Sequence, residues 1–144
     1  MSTFLDLSTE LLAEGYGVRF RLSGNIMHPT IRDGEAVRVE PVSIHEIKRG
    51  DIILCRAARG LTAHRVVRVD ENGDGPRIFH LRGDACASLD EPVTAAQVMG
   101  RVTEVERDGH KISLTGRAAR LKHSGYIFLR KFKTVGAQTI RHKL

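Results

Sequence analysis

Apolar residues Phe4, Leu7, Leu11 and Leu12 recur at helical spacing, so residues 3–14 are predicted to form a short helix with one apolar face. Gly15 and Gly17 end it. The period then changes to two. Val18, Phe20 and Leu22 alternate with Arg19, Arg21 and Ser23, the pattern of a half-buried strand. Further strands are predicted over 36–42, 52–56, 61–69, 78–82, 98–106 and 111–114. The breaks between them carry turn formers: Asp33-Gly34, Arg49-Gly50-Asp51, Ala58-Arg59-Gly60, the run from Glu71 to Gly75, and Asp108-Gly109. Residues 44–48 read as a short helical turn or loop. Short strands at this spacing predict a mostly β chain: a coiled antiparallel, barrel-like sheet with short helices near its N- and C-terminal ends.

From Arg117 onward the pattern changes again. Leu121, Ile127, Phe128, Leu129, Phe132 and Val135 are interleaved with Lys122, Arg130, Lys131 and Lys133, and Ser124-Gly125 interrupts the stretch. One or two short, basic, amphipathic helices are expected there. The chain is therefore read as a β domain over 1–116 followed by a basic amphipathic tail over 117–144.

Charge sharpens that division. The net charge of +6 is unevenly spread: all 17 acidic residues and 14 Lys/Arg lie in residues 1–108, while residues 109–144 hold nine Lys/Arg and no acid. A tail of that kind attracts anionic partners, an anionic membrane surface among them, or simply stays solvated. Nucleic acid is disfavoured as a partner, since nothing reads as a helix-turn-helix. No run approaches the ~20 apolar residues of a membrane span. The N-terminal stretch carries Asp6 and Glu10 where a signal peptide would be apolar. The expected location is cytoplasmic, with membrane association through the tail as a variant. Cys55 and Cys86 are expected to be free thiols. His28, His45 and His80 have no ligand spacing, and neither a metal nor another cofactor is expected.

Four collinear stretches carry the candidate chemistry: Gly24-Asn25-Ile26-Met27-His28-Pro29-Thr30, Lys48-Arg49-Gly50-Asp51-Ile52-Ile53, His64-Arg65-Val66-Val67 and Arg82-Gly83-Asp84-Ala85. In order and spacing they resemble the type I signal peptidases and their relatives, which include the LexA-type self-cleaving repressors. The resemblance covers roughly residues 18–103. It implies the coiled β fold of the LexA and signal peptidase type, a serine endopeptidase ancestry and an extended peptide as substrate. It also implies that His64 stands at the general-base position and Asp84 at the orienting acid, as in the histidine branch. Met27 and Pro29 would lie on the substrate side. A serine hydroxyl needs such a base to lose its proton as it attacks, and neutral imidazole can return the proton to the leaving amine.

The same alignment of motifs puts Ile26 where the family keeps its serine. Isoleucine has no hydroxyl, and losing a triad nucleophile costs on the order of a millionfold in rate. Ser23 lies roughly 10 Å of extended chain away, and Thr30 and Cys86 are read as structural. The resulting expectation is a signal peptidase-like domain, a pseudo-enzyme with peptidase activity lost or strongly reduced. The alternatives are a peptidase active in a native form with serine at this position, and a non-catalytic peptide-binding or membrane-peripheral module.

Overall fold

The computed structural model describes residues 4–57, 60–71, 73–115 and 126–128. One helix, α1 (Phe4–Ala13), precedes the strands β1 (Gly17–Arg21), β2 (Ala36–Glu40), β3 (Ile52–Ala57), β4 (Gly60–Asp70), β5 (Ile78–Arg82), β6 (Val93–Thr94), β7 (Val98–Arg107), β8 (His110–Ser113) and β9 (Tyr126–Phe128). Single 3-10 turns occupy Ile44–Glu46 and Ala95–Gln97. The strands form one sheet in the order β6-β5-β4-β3-β7-β2-β1-β9, and β8 pairs with β7. Among the described residues every pairing is antiparallel except that of β1 with β9. Register shifts at Arg38/Val39, Leu54/Cys55 and Val66/Arg68 interrupt the ladders. Each such irregularity bends and twists its strand, which curls the sheet into a half-barrel.

Two apolar clusters form, one on each face of the central strands. β3 divides between them by strict alternation: Ile52 and Leu54 join the cluster under α1, β1, β2 and β7, while Ile53 and Cys55 join Val66, Phe79 and Leu81 on the other face. The unbroken apolar run of β3 is therefore the sequence of a strand buried on both sides. α1 caps the first cluster with Phe4 and Leu12, and Phe4 meets Phe20 edge to face. The β7–β8 hairpin turns at Asp108-Gly109, both with positive φ (52° and 77°), the backbone a tight hairpin requires.

The expected N-terminal helix and the expected strands are present with ends moved by no more than two residues; the strand predicted over 36–42 stops at Glu40, before Pro41. Two features differ from expectation. The short strand β6 carries no alternation long enough to read. Tyr126–Phe128, placed by the sequence in a tail helix, is instead extended and pairs in parallel with Gly17–Arg19. Aromatic and β-branched residues favour that state, and the pairing supplies hydrogen-bond partners to an edge of β1 that would otherwise lie open. The rest of the tail predicted over 117–144 lies outside the described residues. No helix among the described residues is long and apolar enough to cross a membrane.

Candidate functional site

The stretch from Gly24 to Ile31 leaves β1 and packs as a compact loop. Gly24 has φ 101°, open to glycine alone without strain, and its N–H donates to Asp33 Oδ1 at 2.7 Å. The N–H of Ile31 donates to the Met27 carbonyl at 2.9 Å, and the His28–Pro29 peptide is cis. Met27 and Ile31 are buried in the cluster beneath α1. His28 and Pro29 are exposed. Of the two residues expected on the substrate side, Pro29 is thus open to solvent, and Met27 is a core residue.

Ile26 is almost completely buried, with 1% of its surface exposed. Its carbonyl accepts the N–H of Ala85 at 2.8 Å. Its Cγ2 methyl lies 2.2 Å from the point where a Cβ on Gly83 would stand. Cys86 Sγ lies 3.1 Å from the same point. The first and fourth motifs are therefore in direct contact, with the Ile26 side chain over the bare backbone of Gly83.

His64 belongs to β4, opposite Ile53 of β3. The neighbouring β4–β5 pair is Arg65 with Arg82, where β5 ends. His64 and Gly83 are each one residue beyond that pair, His64 on β4 and Gly83 just past the end of β5. His64 is buried, with 7% of its surface exposed. Its Nε2 lies 2.9 Å from Thr62 Oγ1, two residues back on the same face. Its Nδ1 lies 2.6 Å from Asp90 Oδ2, with the carboxylate off the line of the ring N–H. At that separation a bare nitrogen would oppose two lone pairs, so the proton belongs on Nδ1 and Nε2 is free to accept from Thr62. Burial pulls the His64 pKa below the ordinary histidine value; Asp90 opposes this without overcoming it.

The acid facing His64 is thus Asp90, whereas the sequence pointed to Asp84. Both oxygens of Asp84 are engaged elsewhere. Arg65 grips them as a fork, Nε to Oδ1 and Nη2 to Oδ2, each at 2.7 Å, and Thr30 donates its hydroxyl to Oδ2. Burial pushes the Asp84 carboxyl up, but the Arg65 and Thr30 hydrogen bonds outweigh it and hold it below the usual range. Arg65 Nη1 also donates to the Gly50 carbonyl at 2.8 Å. All four sequence motifs therefore meet at one ion pair: Thr30 from the first, Gly50 from the second, Arg65 from the third and Asp84 from the fourth. Arg107 of β7 braces the loop from beneath. It forks onto Glu35 and donates to the carbonyls of Pro29 and Thr30.

Thr62 and Asp90 were not visible as site residues in the sequence. Thr62 carries a usable signal, since alternation puts the residue two before His64 on the same face. Asp90 carries none by spacing: it arrives through an irregular loop anchored by its own N–H on the Leu81 carbonyl at 2.8 Å. Cys55 and Cys86 are free, and burial pushes the Cys55 thiol up to about 12. Among the described residues no three His, Cys, Asp or Glu side chains stand together as a metal site. Comparison with protein-family models, with curated proteins and with solved structures finds no match.

Proposed function

We propose that this chain is a signal peptidase-like domain, of the LexA and signal peptidase fold type, that keeps the acid–base half of a Ser–His peptidase and lacks its nucleophile. Its role on this reading is to hold an extended peptide along a sheet edge without cleaving it. The observation that carries the reading is the position of Ile26. Its buried side chain sits on Gly83, which lies, like His64, one residue beyond the Arg65–Arg82 pair, and Asp90 Oδ2 stands 2.6 Å from His64 Nδ1. On this reading a hydroxyl at that place would stand beside a base of suitable protonation state. The methyl groups there offer no proton and no lone pair.

The test is restoration. Ile26→Ser is expected to cleave peptides with small residues before the scissile bond, whereas the natural chain leaves them intact. That gained activity should fall by roughly 100-fold or more with His64→Gln and with Asp90→Asn, the scale of a lost general base or its orienting partner. Turnover by the natural chain that survives His64→Ala, or an Ile26→Ser protein that folds yet neither binds nor cleaves any peptide of a degenerate library, would overturn the reading.

A further inference from the structure

The hydroxyl against the His64 ring, Thr62 Oγ1 at 2.9 Å from Nε2, belongs neither to position 26 nor to any residue of the four motifs. We propose that Thr62 is itself a nucleophile, and that Thr62, His64 and Asp90 form a hydrolytic site for small activated acyl esters. This inference shares His64 and Asp90 with the preceding reading but is independent of the residue at position 26.

The order of groups is that of a hydroxyl–imidazole–carboxylate relay: Thr62 Oγ1 lies 2.9 Å from Nε2, and Asp90 Oδ2 lies 2.6 Å from Nδ1 as an ion-pair contact off the line of the ring N–H. Two of the three residues share a strand and the third is held by a loop bonded to another. Thr62 and His64 are fixed two apart on β4, and Asp90 is tied to β5 through the Leu81 carbonyl. The ring is buried, while the Asp90 side chain is 42% exposed, so the relay opens to solvent on the carboxylate side. Thr62 is only partly buried. Its secondary hydroxyl is crowded by its own methyl, which restricts the substrate to a small acyl group on a good leaving group. Burial keeps the imidazole neutral near neutral pH, the state in which Nε2 accepts a proton.

In the first step Thr62 Oγ1 bonds to the acyl carbon as its proton passes to His64 Nε2. The bond from that carbon to the leaving oxygen breaks, and the departing alkoxide or phenoxide takes the proton back from Nε2. Water then attacks the threonyl ester, giving its proton to Nε2. The Thr62 oxygen leaves and recovers a proton from the ring, and the carboxylic acid is released. No oxidant, metal or further co-reactant enters the balance.

The natural protein, with Ile26 in place, is incubated with p-nitrophenyl acetate, and nitrophenolate release is followed above the buffer rate. The trapped protein is digested and the acetylated residue located by mass spectrometry. Expected are an acetyl group on Thr62 and release that falls roughly 100-fold with Thr62→Val or His64→Gln. Cys86→Ala should retain the activity. Release no faster than buffer, acetylation confined to Cys86 or to lysines, or full activity in folded Thr62→Val would overturn the assignment. Locating the adduct in the natural chain decides the matter even if Thr62→Val does not fold. The ester and peptide tests use different nucleophiles and substrates, so either reading can fail alone.

Discussion

Ile26 occupies the space that a side chain on Gly83 would need, and the two residues should be energetically coupled. A Cβ at position 83 would stand 2.2 Å from Ile26 Cγ2, 2.7 Å from the Ile26 carbonyl oxygen and 3.1 Å from Cys86 Sγ. Gly83→Ala is therefore expected to destabilise by about 1–3 kcal/mol, the usual range for overpacking. Ile26→Ala alone should cost about 2–5 kcal/mol through the cavity it leaves. The double variant should be less unstable than the sum, because the alanine methyl at 83 enters the space vacated at 26. The carbonyl contact remains, so the relief is partial. Urea unfolding of the four proteins measures the coupling, and strict additivity would contradict the close approach. His64 supplies a second residue-scale test. Its folded pKa lies below its unfolded value, so between the two values the unfolded chain binds more protons than the folded one. Stability should be complete above the ordinary histidine value of 6.5 and decline as pH falls from there toward the lowered folded value. Replacing His64 with Gln should flatten that part of the stability–pH curve; an unchanged slope would show that another group causes it.

At the scale of elements, the four motifs are held together chiefly by Arg65. One guanidinium spans the Asp84 carboxylate and the Gly50 carbonyl, while Thr30 reaches the same carboxylate from the loop carrying Ile26. A lysine keeps the charge but cannot fork onto Asp84 and still reach Gly50. Arg65→Lys should therefore cost about 1.5–3 kcal/mol, the range of hydrogen bonds to charged groups. It should also raise amide exchange at Ala85, whose N–H is held by the Ile26 carbonyl. Exchange at Ala85 equal to that of the unaltered protein would show that the loop contact does not depend on Arg65. This arrangement also explains what could be read in advance. Alternation showed which face of β1 is buried, and the collinear motifs marked the segments that come together. They did not separate the residue that ties the segments, Asp84, from the one that faces the histidine, Asp90. Both are aspartates after β5, and only the path of the loop from Gly83 to Asp90 distinguishes them. The pairing of Arg65 with Arg82, next to His64 and Gly83, lies past a register shift at Val66/Arg68 that no local pattern announces.

Across the whole molecule, charge and fold are distributed differently. Residues 109–144 hold nine basic side chains and no acid, yet Tyr126–Phe128 within that stretch is part of the sheet, paired with β1. The sequence boundary at 117 is thus not a boundary of the sheet. The helical expectation failed at 126–128 because interleaved apolar and basic residues suit a strand edge as well as a helix face, and the open side of β1 decides between them. The basic stretch still predicts an electrostatic preference. Each Lys or Arg close to an anionic bilayer contributes about 1 kcal/mol, and the effect falls off within a Debye length of roughly 10 Å at 0.1 M salt. The protein should therefore co-sediment with phosphatidylserine-containing vesicles and not with neutral ones, and should be released as salt is raised. Deletion of residues 129–144 is the informative truncation, because it removes five of the nine basic residues and leaves β9 to pair with β1. Removal of everything after 116 would also strip the β1 edge and confuse lost charge with lost structure. Vesicle binding that falls sharply on deleting 129–144, with the unfolding transition unchanged, would assign the attraction to charge beyond β9. Binding that is insensitive to salt and to that deletion would show that the basic residues serve the fold or its solubility instead.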